Sequence, residues 1–125
     1  MSIFSLVENE KMIEIFEASL EDSEFQVEWL AHEAKLYEKL RVYKESLVFL
    51  PQSYIYNIFQ VGSFISKHLP DSKVVLVLNS KDEFDPAQAG EHDMLFLESN
   101  LDDLQQSILS LIHTFKENLR TNVYK

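Results

Sequence analysis

The chain of 125 residues, 46% of them hydrophobic, has the length of one domain and enough apolar side chains to bury a core without metals or disulfides. It holds no cysteine, which removes disulfide frameworks, thiolate metal sites and cysteine nucleophiles, and no apolar run approaches the roughly 20 residues needed to span a bilayer. With 11 Lys and Arg against 21 Asp and Glu, the formal charge of −10 opposes binding to nucleic acid phosphates and to anionic lipid.

The start, Met1 to Leu6, has no basic region of the kind that opens a secretion signal, and a single cytoplasmic domain over residues 1–125 is expected. Ile3 to Val7 forms a first apolar run of strand length, followed by Met12, Phe16 and Leu20 at helical spacing. Phe25 to Leu30 alternates polar and apolar residues, as an edge strand does, and Leu36, Leu40 and Tyr43 mark a second helix. Leu47 to Leu50 is continuously apolar, the pattern of a strand covered on both faces. Ile58, Val61, Ile65 and Leu69 then predict a third helix, and Val74 to Leu78 a second fully covered strand. Between Asn79 and Gly90 the segment is short and contains Asp85-Pro86; the residue before proline is kept out of helical geometry, leaving room for a single turn.

Met94 to Leu97 supplies a fifth strand, and Leu101, Leu104, Ile108, Leu111, Phe115 and Leu119 a last helix. That helix opens at Ser99 or Asn100, both good caps, with Asp102 and Asp103 in its first turn where the helix dipole favours them. Helical to Leu119, it spans about 28 Å at 1.5 Å per residue. Residues 113–125 are therefore expected to pass beyond the sheet, as a helical extension, a linker to an output domain outside this chain, or a dimer contact.

Strands alternating with helices at this spacing call for parallel pairing through right-handed crossovers, hence an α/β, doubly wound, three-layer sandwich. A five-stranded parallel sheet in the flavodoxin-like order 2-1-3-4-5 places the alternating strand at an edge and the two continuous ones inside. Ligands of such sheets sit beyond the carboxyl ends of the strands, here Val7 to Asn9, Pro51 to Ser53, Asn79 to Lys81 and Leu97 to Ser99.

Five segments meet at those ends: Val7-Glu8-Asn9-Glu10-Lys11-Met12, Ser46-Leu47-Val48-Phe49-Leu50-Pro51, Val74 to Ser80, Gly90 to Glu98, and Asn100 to Ile112. In order and spacing they resemble the receiver domain of two-component response regulators, over almost the whole chain. The resemblance implies that the phosphorylated aspartate falls on Pro51 and the acidic pair on Val7 and Glu8, or on Glu8 and Asn9 one register later. The phosphate-clamping lysine falls on Leu97, its following proline on Glu98, and the switch aromatic on Met94. Asn79, or Ser80, is the one group left to hydrogen-bond a phosphoryl oxygen.

Phosphoryl transfer to a receiver needs a carboxylate nucleophile and further carboxylates for Mg²⁺. With Val7, Pro51 and Leu97 in those places, the implied function is a phosphorylation-independent pseudo-receiver: not an enzyme, without metal or cofactor, acting as a protein-protein interaction or dimerisation module in signal transduction. Two alternatives stay open, a phosphorylatable receiver with displaced acceptor chemistry and an acidic inhibitor or immunity-type binding protein. Other chemistries lack their residues. Gly62 and Gly90 are the only glycines, so no nucleotide cradle forms, and Asn9-Glu10-Lys11 is not a flavin phosphate loop. His32, His68, His92 and His113 show no paired ligand spacing, and no Gly-x-Ser-x-Gly elbow is present.

Charge suggests where a partner binds. Lys81 to Asp103 contains 8 acidic residues and 1 basic one, a net −7 of the chain's −10. Asp82, Glu83, Asp85, Glu91, Asp93 and Asp102 are the expected contacts for a basic protein partner. Lys35, Lys39, Arg41 and Lys44 lean the other way and are read as a solvated helix face.

Overall fold

The computed structural model describes residues 1–51, 58–78, 93–96 and 100–123. Five strands, β1 (Ser2–Ser5), β2 (Glu28–Trp29), β3 (Ser46–Pro51), β4 (Lys73–Leu78) and β5 (Asp93–Phe96), appear in chain order. Interspersed with them are α1 (Glu10–Leu20), α2 (Glu33–Val42), α3 (Ile58–His68) and α4 (Leu101–Val123). All pairings among these strands are parallel, in the order β2-β1-β3-β4-β5. Parallel neighbours cannot be joined by a tight turn, and α1, α2 and α3 are the crossovers that return the chain to the same end of the sheet.

Successive strand side chains face opposite ways, so each continuous apolar run feeds two cores. Leu47 and Phe49 of β3, Val75 and Val77 of β4 and Leu95 of β5 pack with Met12, Phe16 and Leu20 of α1 and with Leu104, Ile108, Ile112 and Phe115 of α4. On the other face Val48, Leu50, Val74, Leu76 and Leu78 pack with Leu36 and Leu40 of α2 and Val61 and Ile65 of α3. Two serines are buried with them. Ser5 Oγ accepts the Val7 N–H at 3.1 Å. Ser46 Oγ donates to the Tyr43 carbonyl at 2.8 Å, while its N–H donates to Ser72 Oγ at 2.9 Å. Ser72 Oγ in turn donates to the Lys44 carbonyl at 2.8 Å, tying the entries of β3 and β4 together.

Several boundaries depart from the sequence reading. Of the strand expected over Phe25 to Leu30, Glu28 and Trp29 pair with β1 and the Leu30 N–H adds a bond to it, while Phe25 to Val27 lie outside the ladder. Ahead of it, Ser23 Oγ donates to the Leu20 carbonyl at 2.9 Å and accepts the Phe25 N–H at 3.1 Å, so local bonds hold a turn where ladder bonds were expected. Tyr43 is the C-cap of α2 rather than part of its apolar stripe; its backbone is extended (φ −102°, ψ 101°) and its side chain is exposed. Asn100 caps α4, its Oδ1 accepting the Asp102 N–H at 2.8 Å.

The end of α4 does not stand free of the domain. The helix runs 23 residues, about 34 Å. Phe115 and Leu119 are buried in the same core as α1. The His113 ring lies edge-on to Phe25 at 5.3 Å, and Lys116 bonds the Glu24 carboxylate and sits 5.4 Å from the Phe25 ring centroid. The turn after α1 is what extends the platform: it carries Glu24 and Phe25 out under turns that the sequence alone placed past the sheet.

Candidate functional site

The carboxyl ends of β1 and β3 lie side by side. Beyond β1, the Leu6 N–H still donates to the Phe49 carbonyl at 3.1 Å, and the Leu30 N–H reaches the Ser5 carbonyl at 2.8 Å. Ser5 Oγ then captures the Val7 N–H, and the chain turns into α1, where exposed Asn9 accepts the Met12 N–H on Oδ1 at 3.1 Å. That cap, with Glu10 in the first turn, satisfies a donor the helix start would otherwise leave open. Pro51 closes β3 opposite Val77, half-buried; a proline is tolerated at such a strand end because the ladder needs no N–H there.

Of the pocket positions inferred from sequence, the structure brings Val7, Glu8 and Pro51 to this end of the sheet. Val7 is buried in the core beneath α1, because strand alternation continues through it from Ile3 and Ser5. Glu8 is exposed, and Pro51 presents neither a carboxylate nor an N–H. Asn79 and Leu97 lie outside the described residues, as do Ser80, Glu98 and the side chain of Met94. Among the described residues, no three His, Asp or Glu side chains converge on a common point.

Of the acidic surface, Asp82, Glu83, Asp85 and Glu91 lie outside the described residues. The backbone of Asp93 opens β5, opposite Val75. Asp102 is exposed in the first turn of α4, which begins after the opposite, carboxyl end of β5. The two thus enter from different ends of one strand. Two of the basic residues of α2 are paired, Lys35 with Glu38 at 3.4 Å and Lys39 with Glu28 at 3.3 Å.

One site was not singled out from the sequence. At the β2 edge, α1 and the segment from Ser23 to Trp29 enclose a cleft of about 400 Å³. Phe16, Leu20, Phe25 and Trp29 line its floor, and Glu17 and Glu21 stand exposed at its margin. The Trp29 ring lies 5.8 Å from Phe16 and nearly perpendicular to it, at 88°. The signal was present in α1 as two i,i+4 pairs, Phe16/Leu20 and Glu17/Glu21, side by side on adjoining faces.

No helix among the described residues is long and apolar enough to cross a membrane. Neither protein-family models nor curated protein sequences give a match to the chain.

Proposed function

We propose that the chain is a receiver-like module of the flavodoxin-like, three-layer type that has given up phosphoryl chemistry and works in cytoplasmic signalling by binding a protein partner. The observation that carries this reading is Pro51, which ends the central strand β3 beside the end of β1, where a receiver needs its acceptor carboxylate. Proline offers no nucleophile, and of the neighbouring acidic pair Val7 is core and Glu8 a solvated carboxylate. Regulation then comes from partner abundance, an attached output domain or self-association. The partner is basic, drawn to the excess negative charge between Asp82 and Asp103.

The test is titration of the full chain with Mg²⁺ and a beryllofluoride phosphoryl mimic, read in the backbone amide spectrum. The spectrum is expected to stay unchanged. Saturable shifts around Glu8, Pro51 and Asn79 would sink the reading, and Pro51→Asp alone is expected not to restore a response, because Glu8 would stand with one new carboxylate and no lysine. For the binding arm, reversing Asp82, Glu83 and Asp85 to Lys should slow association with a basic partner and flatten its salt dependence. An unchanged rate in the triple variant at low salt, with binding lost on substitution of Lys35 and Lys39, moves the interface to α2.

A further inference from the structure

The cleft at the β2 edge combines two features that ask for different things of a ligand. Its floor is backed by the buried Phe16, Leu20 and Phe25, and the half-buried Val27 and Trp29 supply the apolar surface that a ligand can reach. Its margin carries Glu17 and Glu21, four residues apart on one face of α1 and both exposed. Among the described residues no ion pair involves either of them. A purely apolar ligand would leave the two carboxylates unanswered, and an anion would be repelled by them and by the formal charge of −10. A lysine or arginine side chain fits both parts: its hydrocarbon stem lies along apolar surface while its cation stays at the mouth. The half-buried Trp29 is also an aromatic lining residue, and aromatic rings attract cations.

The backbone beside the cleft suggests how such a side chain is presented. Among the described residues β2 is the outermost strand and pairs only with β1. An extended segment laid along its other edge gains main-chain hydrogen bonds and sends alternate side chains to the α1 side, where Val27 and Trp29 already pack. We propose that this cleft binds an arginine or lysine side chain carried on an extended segment of a basic protein partner. The inference rests on the reading of the chain as a partner-binding module and gives it a contact at the sheet edge opposite β5.

Trp29 is the only tryptophan, so its fluorescence reports the cleft directly. The full chain is titrated with the blocked pentapeptide Thr-Val-Arg-Val-Thr and with its counterpart bearing Gln in place of Arg. At low salt the Arg peptide should give a saturable change and bind about tenfold more tightly than the Gln peptide, as expected for two exposed charge contacts. Added salt should narrow the gap. The Glu17→Gln/Glu21→Gln protein should lose the preference while keeping its far-UV circular dichroism, since both side chains are exposed. Amide shifts with the Arg peptide should centre on Val27 and Glu28. Equal affinities for the two peptides, a preference that survives the double substitution, or no saturable change with either peptide overturns the proposal. A response to beryllofluoride around Pro51 would instead overturn phosphorylation independence and leave this result standing.

Discussion

Replacing Phe49 with Ala probes the double-sided burial on which the sheet depends. Phe49 is fully buried in β3, opposite Ser5 on one side and Val75 on the other. Its ring meets that of Phe16 edge-on at 4.8 Å and 75°. Truncating a fully buried Phe costs about 3–5 kcal/mol through lost transfer energy and the cavity left behind. The edge-to-face contact accounts for about 0.5–1.5 kcal/mol of that. With a urea slope of about 2 kcal/mol per molar, the midpoint should fall by roughly 1.5–2.5 M. Gln26→Ala is the control, because Gln26 is exposed and such changes stay within about 0.5 kcal/mol. Equilibrium urea unfolding followed by far-UV circular dichroism compares the two. If their midpoints coincide, Phe49 is not in the core and the placement of β3 between two helical layers is wrong.

Asn9→Ala should cost about 1 kcal/mol by removing the acceptor for the Met12 N–H, and Asn9→Asp should keep most of that stability; thermal melts of both variants decide it. Ser72→Ala should cost about 1–3 kcal/mol, because the N–H of buried Ser46 loses its acceptor; a loss no larger than that of an exposed Ser63→Ala control would refute the bridge. Tyr37 is held above the ordinary tyrosine pKa of 10.0 by burial first, then by the charge of Glu33 and a hydrogen bond to it. The folded state therefore keeps this proton more tightly than the unfolded one, so the contribution is complete below pH 10.0 and is lost as pH rises through the folded value. Melting temperatures over roughly pH 9 to 11 should fall for the native chain and fall less for Tyr37→Phe.

The parts of the fold legible in the sequence are those where one physical demand dominates. Leu47 to Leu50 and Val74 to Leu78 read as inner strands because helices cover both their faces, and nothing polar is tolerated on either. The stripe from Leu104 to Leu119 read as a helix for the same reason, one long face against a single core. Phe25 to Leu30 misled because alternation is shared by edge strands and by turns with one buried anchor. There the hydroxyl of Ser23 decided in favour of the turn, and Phe25 became a plug beneath α4. Tyr43 misled because the helical period cannot show that α2 stops one residue earlier, after which its ring turns to Phe4 at 5.8 Å. At the strand ends, Pro51 was legible by position alone, whereas the burial of Val7 depended on alternation persisting past the last paired residue. The cleft carries no motif. It exists because a turn sets Phe25 and Trp29 against residues of α1, a meeting that linear spacing does not record.

The partnership of α1 with α4 also bears on how the protein is made. α1 and α4 share one apolar cluster, yet Met12 and Phe16 leave the ribosome long before Ile108 and Phe115. At the usual 5–20 residues per second the interval is roughly 5–20 s, far longer than the microsecond scale of helix formation. During that time α1 can form and meet Phe49 and Val75 of the sheet, but the part of the cluster that Leu104, Ile108, Ile112 and Phe115 close stays open to water. The nascent chain is then a substrate for chaperones that hold exposed apolar surface, and productive folding waits on the last helix to be synthesised. A stalled ribosome presenting the chain only as far as β5 should bind such a chaperone, and release of the Leu101–Val123 segment should dismiss it.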